Sequence, residues 1–439
     1  MKKLFKIDGR EDWRRLRHDL IPGGAHTYSK GDDQFPENAP AVLERGEGAW
    51  TWAPDGRKYL DMAMGLRSAT LGHGYKRVND AVAEALSYGN NLSRPCVFEA
   101  KYAQNFLAAL GWPAMVKFCK NGSTATSAAV KLARAFTDRR LAARCRQQPF
   151  FSYDDWFIGT TVCPRGVPRE VSELTVQFDY DDLASVDRLI AEHPKDLSCL
   201  ILETATDRDP SPGFLQGLRE RCDRHGIVLI FDEMITGFRF ALGGGAQRYG
   251  VTPDLATFGK GMANGFSMAA LVGKREIMEL GDLTPGRRKV FLASATHGAE
   301  ICSLFAAQAT LEVYQTQPVI EHLARWGAEV KTAFNALAVK HGLGDHFKLL
   351  GLDAMPALTI LRGGKPDAAL RTLFLQEMIE RGVLVPYLAP SFSHGEPEKR
   401  FLLEAFDDAA PKLAQALEDD RVRESVRGAV VKPVFREIN

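Results

Sequence analysis

No Cys-x-x-Cys pair occurs in the 439 residues, and the seven cysteines are scattered and odd in number. Neither a disulfide framework nor a zinc ribbon is expected from such a set, and scattered thiols suit a reducing, cytoplasmic compartment. An excess of one charge is also missing: 56 Lys and Arg face 55 Asp and Glu, for a net charge of +1. Nucleic-acid binders carry a far larger basic footprint, so no nucleic-acid partner is expected. A small anionic ligand needs only one local site and is untouched by that argument. The chain has no apolar run of the roughly 18 residues that a membrane span requires. Its opening stretch, MKKLFKIDGREDW, turns charged before any apolar core appears, so no secretory signal and no membrane partner are predicted. Nucleotide fingerprints are missing too. GxxxxGK[ST] does not occur, and GGGAQRYG (243–250) puts Arg248 where GxGxxG needs its third glycine. Repeats and low-complexity tracts are likewise absent.

What is present reads as an α/β enzyme. Residues 48–61, GAWTWAPDGRKYLD, form two β-prone runs around Pro54-Asp55-Gly56 and predict a hairpin. Amphipathic spacing predicts helices over 76–88 and 97–110. From about residue 115 the pattern becomes strands alternating with helices. The expected strands are 115–119, 149–153, 198–203, 227–232, 255–259 and 268–273, with helices at 123–136, 182–193 and 214–225. Short apolar β-rich runs between helices imply a mostly parallel sheet covered on both faces. Residues 299–340 read as one long helix. Residues 341–439 mix short strands and helices and are expected to form a smaller α+β domain with the N-terminal segment.

A sheet of this kind binds its ligand at the carboxyl ends of the strands. The residues there are Lys120-Asn121-Gly122-Ser123, Tyr153-Asp154, Glu203-Thr204, Asp232-Glu233 and Gly259-Lys260. Each has an ordinary explanation on its own. Asp232, ending the apolar run IVLIFD, could cap a helix or sit in a buried ion pair. KNGSTATSAAV (120–130) follows a strand and opens a helix, and a helix start with a glycine and a hydroxyl suits phosphate; serine and threonine also cap helices everywhere. Lys260, between two glycines, could be a plain ion-pairing residue, or a desolvated nucleophile able to form a Schiff base. The order is more specific than its parts. A phosphate loop, an aromatic, a carboxylate and then a lysine are what pyridoxal phosphate requires: an anion site, a ring platform, a partner for the pyridinium nitrogen and an amine for the aldehyde. Asp154-Asp155 lack a His or Cys at ligand spacing, so capping is preferred there and no metal site is expected.

The segment LIFDEMITGFRF…YGVTPDLATFGKGMANGFSMAALVG (229–273) closely resembles the signature of the class-III aminotransferases, pyridoxal-phosphate enzymes of fold type I. IPGGAHTYSK (21–30), GAWTWAPDGRKYLDMAMGLRSATLGH (48–73), VKFCKNGSTATSAAVKLAR (116–134), SATHGAE (294–300) and YLAPSFSH (387–394) resemble the glutamate-1-semialdehyde aminomutase branch. The resemblance spans roughly residues 20–405. It implies an N-terminal arm and part of a small domain at 1–65, a large cofactor-binding domain with a seven-stranded, mostly parallel sheet at 66–312, and the rest of the small domain at 313–439. It implies that Lys260 carries the cofactor through its amine and that Asp232 pairs with the pyridine nitrogen. Tyr153 stacks on one ring face and Met234 lies against the other. Gly122 and Ser123 hold the phosphate, and Glu203 faces the cofactor. Thr296 reaches the phosphate of a neighbouring subunit, so the active unit is a homodimer. Tyr28, Ser29, Arg67 and Glu300 are implied near the substrate.

Two departures stand out. The strand that often ends Glu-Pro in the family ends Glu203-Thr204 here, and the asparagine often found just beyond it has no match in 204–208. Where the aminomutase carries an aromatic-containing stretch, this chain has GLRSATLGH (65–73), in which Leu66 and Arg67 change shape and charge. Arg67 could bind a substrate carboxylate bidentately or form a structural ion pair. The implied function is transfer of an amino group from a small-molecule donor to an aldehyde or ketone. An aminomutase or a racemase would use the same residues. A non-catalytic homologue is disfavoured by the intact lysine, aspartate and tyrosine, and a nicotinamide oxidoreductase by the missing glycine fingerprint.

Overall fold

The computed structural model describes residues 4–5 and 7–438. In chain order the strands are β1 (Arg45–Glu47), β2 (Trp50–Trp52), β3 (Lys58–Asp61), β4 (Met115–Cys119), β5 (Leu141–Cys145), β6 (Thr175–Phe178), β7 (Leu197–Leu202), β8 (Val228–Asp232), β9 (Leu255–Phe258), β10 (Ala269–Gly273), β11 (Phe347–Leu350), β12 (Ala357–Arg362), β13 (Lys365–Pro366) and β14 (Val383–Leu384). The chain folds as two compact units, a terminal one of Met1–Tyr75 with Glu321–Val434 and a central one of Lys76–Ile320 with Phe435–Asn439.

The central unit is built on a seven-stranded sheet in the order β4-β10-β9-β8-β7-β5-β6. Strands β6, β5, β7, β8 and β9 pair in parallel, and β10 runs antiparallel to both β9 and β4. The expected mostly parallel α/β sheet is therefore found. Every residue of β5, β7, β8, β9 and β10 is buried, as strands covered on both faces must be. One cover is the helix Gly122–Thr137, whose Ala125, Ala128, Ala129 and Ala133 face inward and let it approach the sheet closely. Asp254, just ahead of β9, accepts from the Leu229 amide at 2.7 Å, from Arg219 at 2.9 Å and from Lys274 at 2.6 Å. A buried carboxylate satisfied three ways fixes β8 against β9.

Three sequence expectations are corrected. Residues 149–153 are loop, not strand; the interior strand is β5, eight residues earlier. Tyr153 therefore stands in a loop rather than at a strand end. The helix expected over 299–340 is two, Ile301–Thr316 and Val319–Lys340. Gln317 between them is extended, with φ −133° and ψ 150°, because Pro318 disfavours helical geometry in the residue before it.

In the terminal unit, β1, β2, β3 and β14 form one sheet and β11, β12 and β13 another. The predicted hairpin is β2–β3, closed at Gly56 with φ 87° and an Asp55 side chain that accepts the Arg57 amide at 3.0 Å. A packed core including Leu60, Trp326, Phe334, Phe347, Phe374 and Phe406 holds this unit together. The chain after β3 does something rarer. Met64, Gly65, Leu66 and Arg67 have φ of 46°, 59°, 60° and 68° in succession. They make one left-handed turn, closed by the Arg67 amide on Ala63 O at 2.9 Å. Left-handed geometry costs roughly 1–2 kcal/mol per non-glycine residue. At its end the Arg67 guanidinium lies 4.1 Å over the Tyr387 ring.

Candidate active site

Three adjacent parallel strands of the central unit, β7, β8 and β9, end side by side, and each delivers one functional group. Leu202 pairs with Phe231, so Glu203 follows in register beside Asp232. Asp232 pairs with Thr257, three residues before Lys260. Parallel neighbours in register point to the same face about 4.8 Å apart.

Asp232 is 3% exposed. Its Oδ1 accepts from the Met234 amide at 3.0 Å and the Thr257 hydroxyl at 3.2 Å; both bonds go to the same oxygen. Burial pushes its carboxyl up to about 6, against the pull of the Lys260 charge and of those two hydrogen bonds. Lys260 itself sits at φ +38°, a conformation that a side chain adopts only under constraint from its surroundings. Met234 lies between the two glycines that flank the site. A Cβ on Gly259 would stand 2.6 Å from Met234 Sδ, and one on Gly122 2.9 Å.

The helix Gly122–Thr137 begins where β4 ends. Asn121 caps it, its side chain accepting the Thr124 amide at 2.9 Å, so the Gly122 and Ser123 amides are left pointing out of a positive helix end. Ser123 is buried, and its hydroxyl accepts the Tyr153 amide at 3.1 Å, which leaves its hydrogen to donate. The same helix face fastens the loop that carries Tyr153. Thr126 donates to Phe151 O at 2.8 Å, and Ser127 bonds Ser152 at 3.1 Å, Trp156 Nε1 at 2.8 Å and Asp154. Phe151 is buried beneath, while the Tyr153 ring is half exposed. The sequence GSTATS thus both opens a helix and anchors the loop that carries Tyr153.

The Gly243-Gly244-Gly245 cluster has a structural cause. Glu233 is buried, its carboxylate accepting the Gly245 amide at 2.8 Å, the Ala246 amide at 2.9 Å and the Thr236 hydroxyl. Burial pushes it up to about 7 in spite of these bonds. Gly244 has φ +67°, and a Cβ there would meet the Glu233 carboxylate at 2.1 Å.

Glu300 starts the helix Ile301–Thr316 and is gripped by Lys120 at 2.6 Å, Ser303 at 3.0 Å and Asn90 at 3.2 Å. Burial alone would raise its carboxyl, but these partners hold it below the ordinary range. Thr296 lies in an exposed loop of the same unit. Tyr28 and Ser29 occupy a short turn, Tyr28–Lys30, in the terminal unit, as does Arg67; Tyr28 is exposed. Sequence reasoning missed Thr257, whose only signal was a hydroxyl inside an apolar strand, and Gln148, which gave none. Among the described residues no cluster of three or more His, Cys, Asp or Glu could hold a metal, and no helix is long and apolar enough to cross a membrane.

Gly259→Ala is expected to displace Met234 at an overpacking cost of about 1–3 kcal/mol, weakening cofactor retention roughly tenfold. Titration of pyridoxal phosphate onto the stripped variant measures it; unchanged affinity would show that Met234 relaxes freely.

The chain is similar to known proteins along most of its length. The family model of class-III aminotransferases matches residues 32–178 and 177–385. Glutamate-1-semialdehyde 2,1-aminomutase of Nitratidesulfovibrio vulgaris strain DP4 is 33% identical over 414 residues, covering 88% of this chain and 95% of that protein. The PLP internal aldimine form of the FumI protein of Sphingopyxis sp. MTA144 superposes with a TM-score of 0.85 at 25% identity, over 95% of this chain and 97% of that one. An omega-transaminase from Sphaerobacter thermophilus shares the fold, with a TM-score of 0.82 at 24% identity over 92% of this chain and 97% of that one. With the family model covering most of its length, the chain belongs to the class-III aminotransferases.

Proposed function

We propose that this chain is a pyridoxal-phosphate-dependent aminotransferase that moves an amino group from an amino donor to an aldehyde or ketone of a small metabolite, with Lys260 and Asp232 at its centre. The observation that carries the assignment is the pair itself: a carboxylate buried at the end of β8, beside a lysine held at φ +38° in the turn just past the neighbouring strand β9. The residues present fit the cofactor. Gly122 and Ser123 offer amides and a hydroxyl to a phosphate at a helix start. Asp232 suits a protonated ring nitrogen, because a cation beside it offsets the burial that raises its carboxyl. The absent side chains of Gly259 and Gly122 leave Met234 lying flat between them, and Tyr153 has an accessible ring.

When bound, pyridoxal phosphate supplies an electron sink for bonds broken at the substrate Cα. Lys260 Nζ would hold the cofactor through its aldehyde and, when freed by the donor, would carry the proton from the substrate Cα to the cofactor carbon. Asp232 keeps the ring nitrogen's proton in place. Glu203, beside Asp232 on the next strand, faces the same ligand. Thr296 of each chain is proposed to reach the phosphate bound by the other, which makes a homodimer the active unit; its exposed loop supports this reading. Glu300 is proposed to lie near the substrate, and for Tyr28, Ser29 and Arg67 substrate contact is proposed from the family resemblance alone. A cytoplasmic location is supported by seven cysteines that are all free.

An intramolecular amino-group mover is the second reading, favoured by the 33% identical aminomutase. The visible spectrum of the purified protein, recorded before and after single amino donors are added, separates the two. A cofactor band that bleaches with one donor supports transamination and names that donor. A band that never bleaches but shifts with a diamine or an aminoaldehyde supports the mutase. No band after incubation with pyridoxal phosphate would overturn both.

A further inference from the structure

We propose that Gln148 is a positioning residue for Glu203, and through it for the ring of the cofactor; the inference rests on the functional reading above. Strand β5 pairs with β7 from Leu141 to Arg144, and its last residue, Cys145, pairs with Phe178 of β6 on the other side. Strand β7 continues to Leu202. Glu203 therefore receives no backbone rung from β5, at the level where it must stand beside Asp232. The Gln148 side chain fills that place. Its Nε2 donates to Glu203 O at 2.6 Å, and its Oε1 accepts the Glu203 amide at 2.8 Å. One amide group thus reproduces a rung of the ladder. It is 1% exposed, so water does not compete for either bond. Gln147, on the other side, accepts the Tyr180 amide at 3.0 Å just beyond β6 and donates to the Asp179 carboxylate at 2.9 Å.

The consequence is directional. Glu203 is 6% exposed and stands one strand from a second buried carboxylate. Fixing its backbone at both N–H and C=O constrains where its carboxylate stands relative to Asp232 on the next strand. The same glutamine lies on the loop that carries Tyr153, so ring face and ring edge are set from one segment. Without Gln148 the Glu203 N–H and C=O lose these two buried bonds, which weakens the hold on the strand end.

The test compares Gln148→Leu and Gln148→Glu as cofactor-loaded enzymes, reading the absorption maximum, the rate of cofactor loss on dilution, and kcat and KM separately. Gln148→Leu is expected to shift the absorption maximum, lose cofactor about tenfold faster and lower kcat about tenfold, with donor KM within about twofold. Gln148→Glu keeps the accepting oxygen but donates only when protonated. Its cofactor retention is expected to approach wild type as pH falls from 8 to 6, which a residue that merely fills space would not show. An unchanged spectrum and cofactor-loss rate in Gln148→Leu would overturn the proposal even if the melting temperature falls. Should Gln148→Leu fail to fold, a flat pH response in Gln148→Glu overturns it. A wild type with no cofactor band would overturn the functional reading, and this proposal with it; a normal wild-type band beside unaltered variants overturns this proposal alone.

Discussion

Lys260→Ala is expected to abolish turnover, by about 10⁴-fold or more, in a protein that still folds. One amine is proposed to bind the aldehyde, take the proton and return it, so no other residue inherits any single part. Folding survives because Lys260 belongs to a short turn, Lys260–Ala263, whose Met262 and Ala263 are fully buried and remain in place. The Lys260 charge also holds the Asp232 carboxyl down. Its loss raises that carboxyl further, so the folded variant binds its proton more tightly than the unfolded chain does. The stability that this proton contributes is present at low pH and is lost as pH rises from the ordinary carboxylate range through a value above the wild-type one of about 6. Single-turnover kinetics with a bleaching donor, and thermal melts at pH 6 and pH 8, check both parts. Retained turnover would overturn the mechanism.

Asp232→Asn is expected to lower kcat about 10³-fold while cofactor stays bound. Asparagine keeps an oxygen for the Met234 amide and the Thr257 hydroxyl, which both bond Oδ1 in the wild type. What it removes is the negative charge that keeps a ring nitrogen protonated. The cofactor-stripped proteins differ in a second way. Burial raises the wild-type carboxyl to about 6, so wild-type stability falls as pH rises from the ordinary carboxylate range through that value. The variant has no such group, and its stability is expected to be flatter over the same window. Urea melts at pH 4.5 and 7 measure this. A kcat near wild type would show that Asp232 is not the pyridinium partner.

The parts of this molecule that sequence made legible are those whose physics is local. Strands β7 to β10 are short apolar runs, and buried parallel strands read that way. Strand β5 is masked by Arg144 near its end. That arginine is buried, donates to the Thr160 hydroxyl and carbonyl at 2.7 Å each, and lies 5.0 Å over the Phe157 ring; all those partners are distant in sequence. The opposite error came from Phe150 and Phe151, an apolar pair that reads as strand. Phe151 is in fact the buried floor of a loop. Asp232, Lys260 and the helix start at Gly122 could be found because strand ends are where ligands bind. Gln148 could not, since its two bonds to Glu203 lie beyond the last β5–β7 pair and join residues 55 apart in sequence.

The left-handed turn at 64–67 bears on how this protein responds to selection for robustness. Glycine at position 66 would remove roughly 1–2 kcal/mol of local strain. A screen for thermal tolerance is therefore drawn to this turn. The variants it enriches there alter the turn that ends at Arg67, whose guanidinium lies over the Tyr387 ring. Gains in heat resistance mapping to these four residues would come at the expense of whatever the chain uses that arginine to hold.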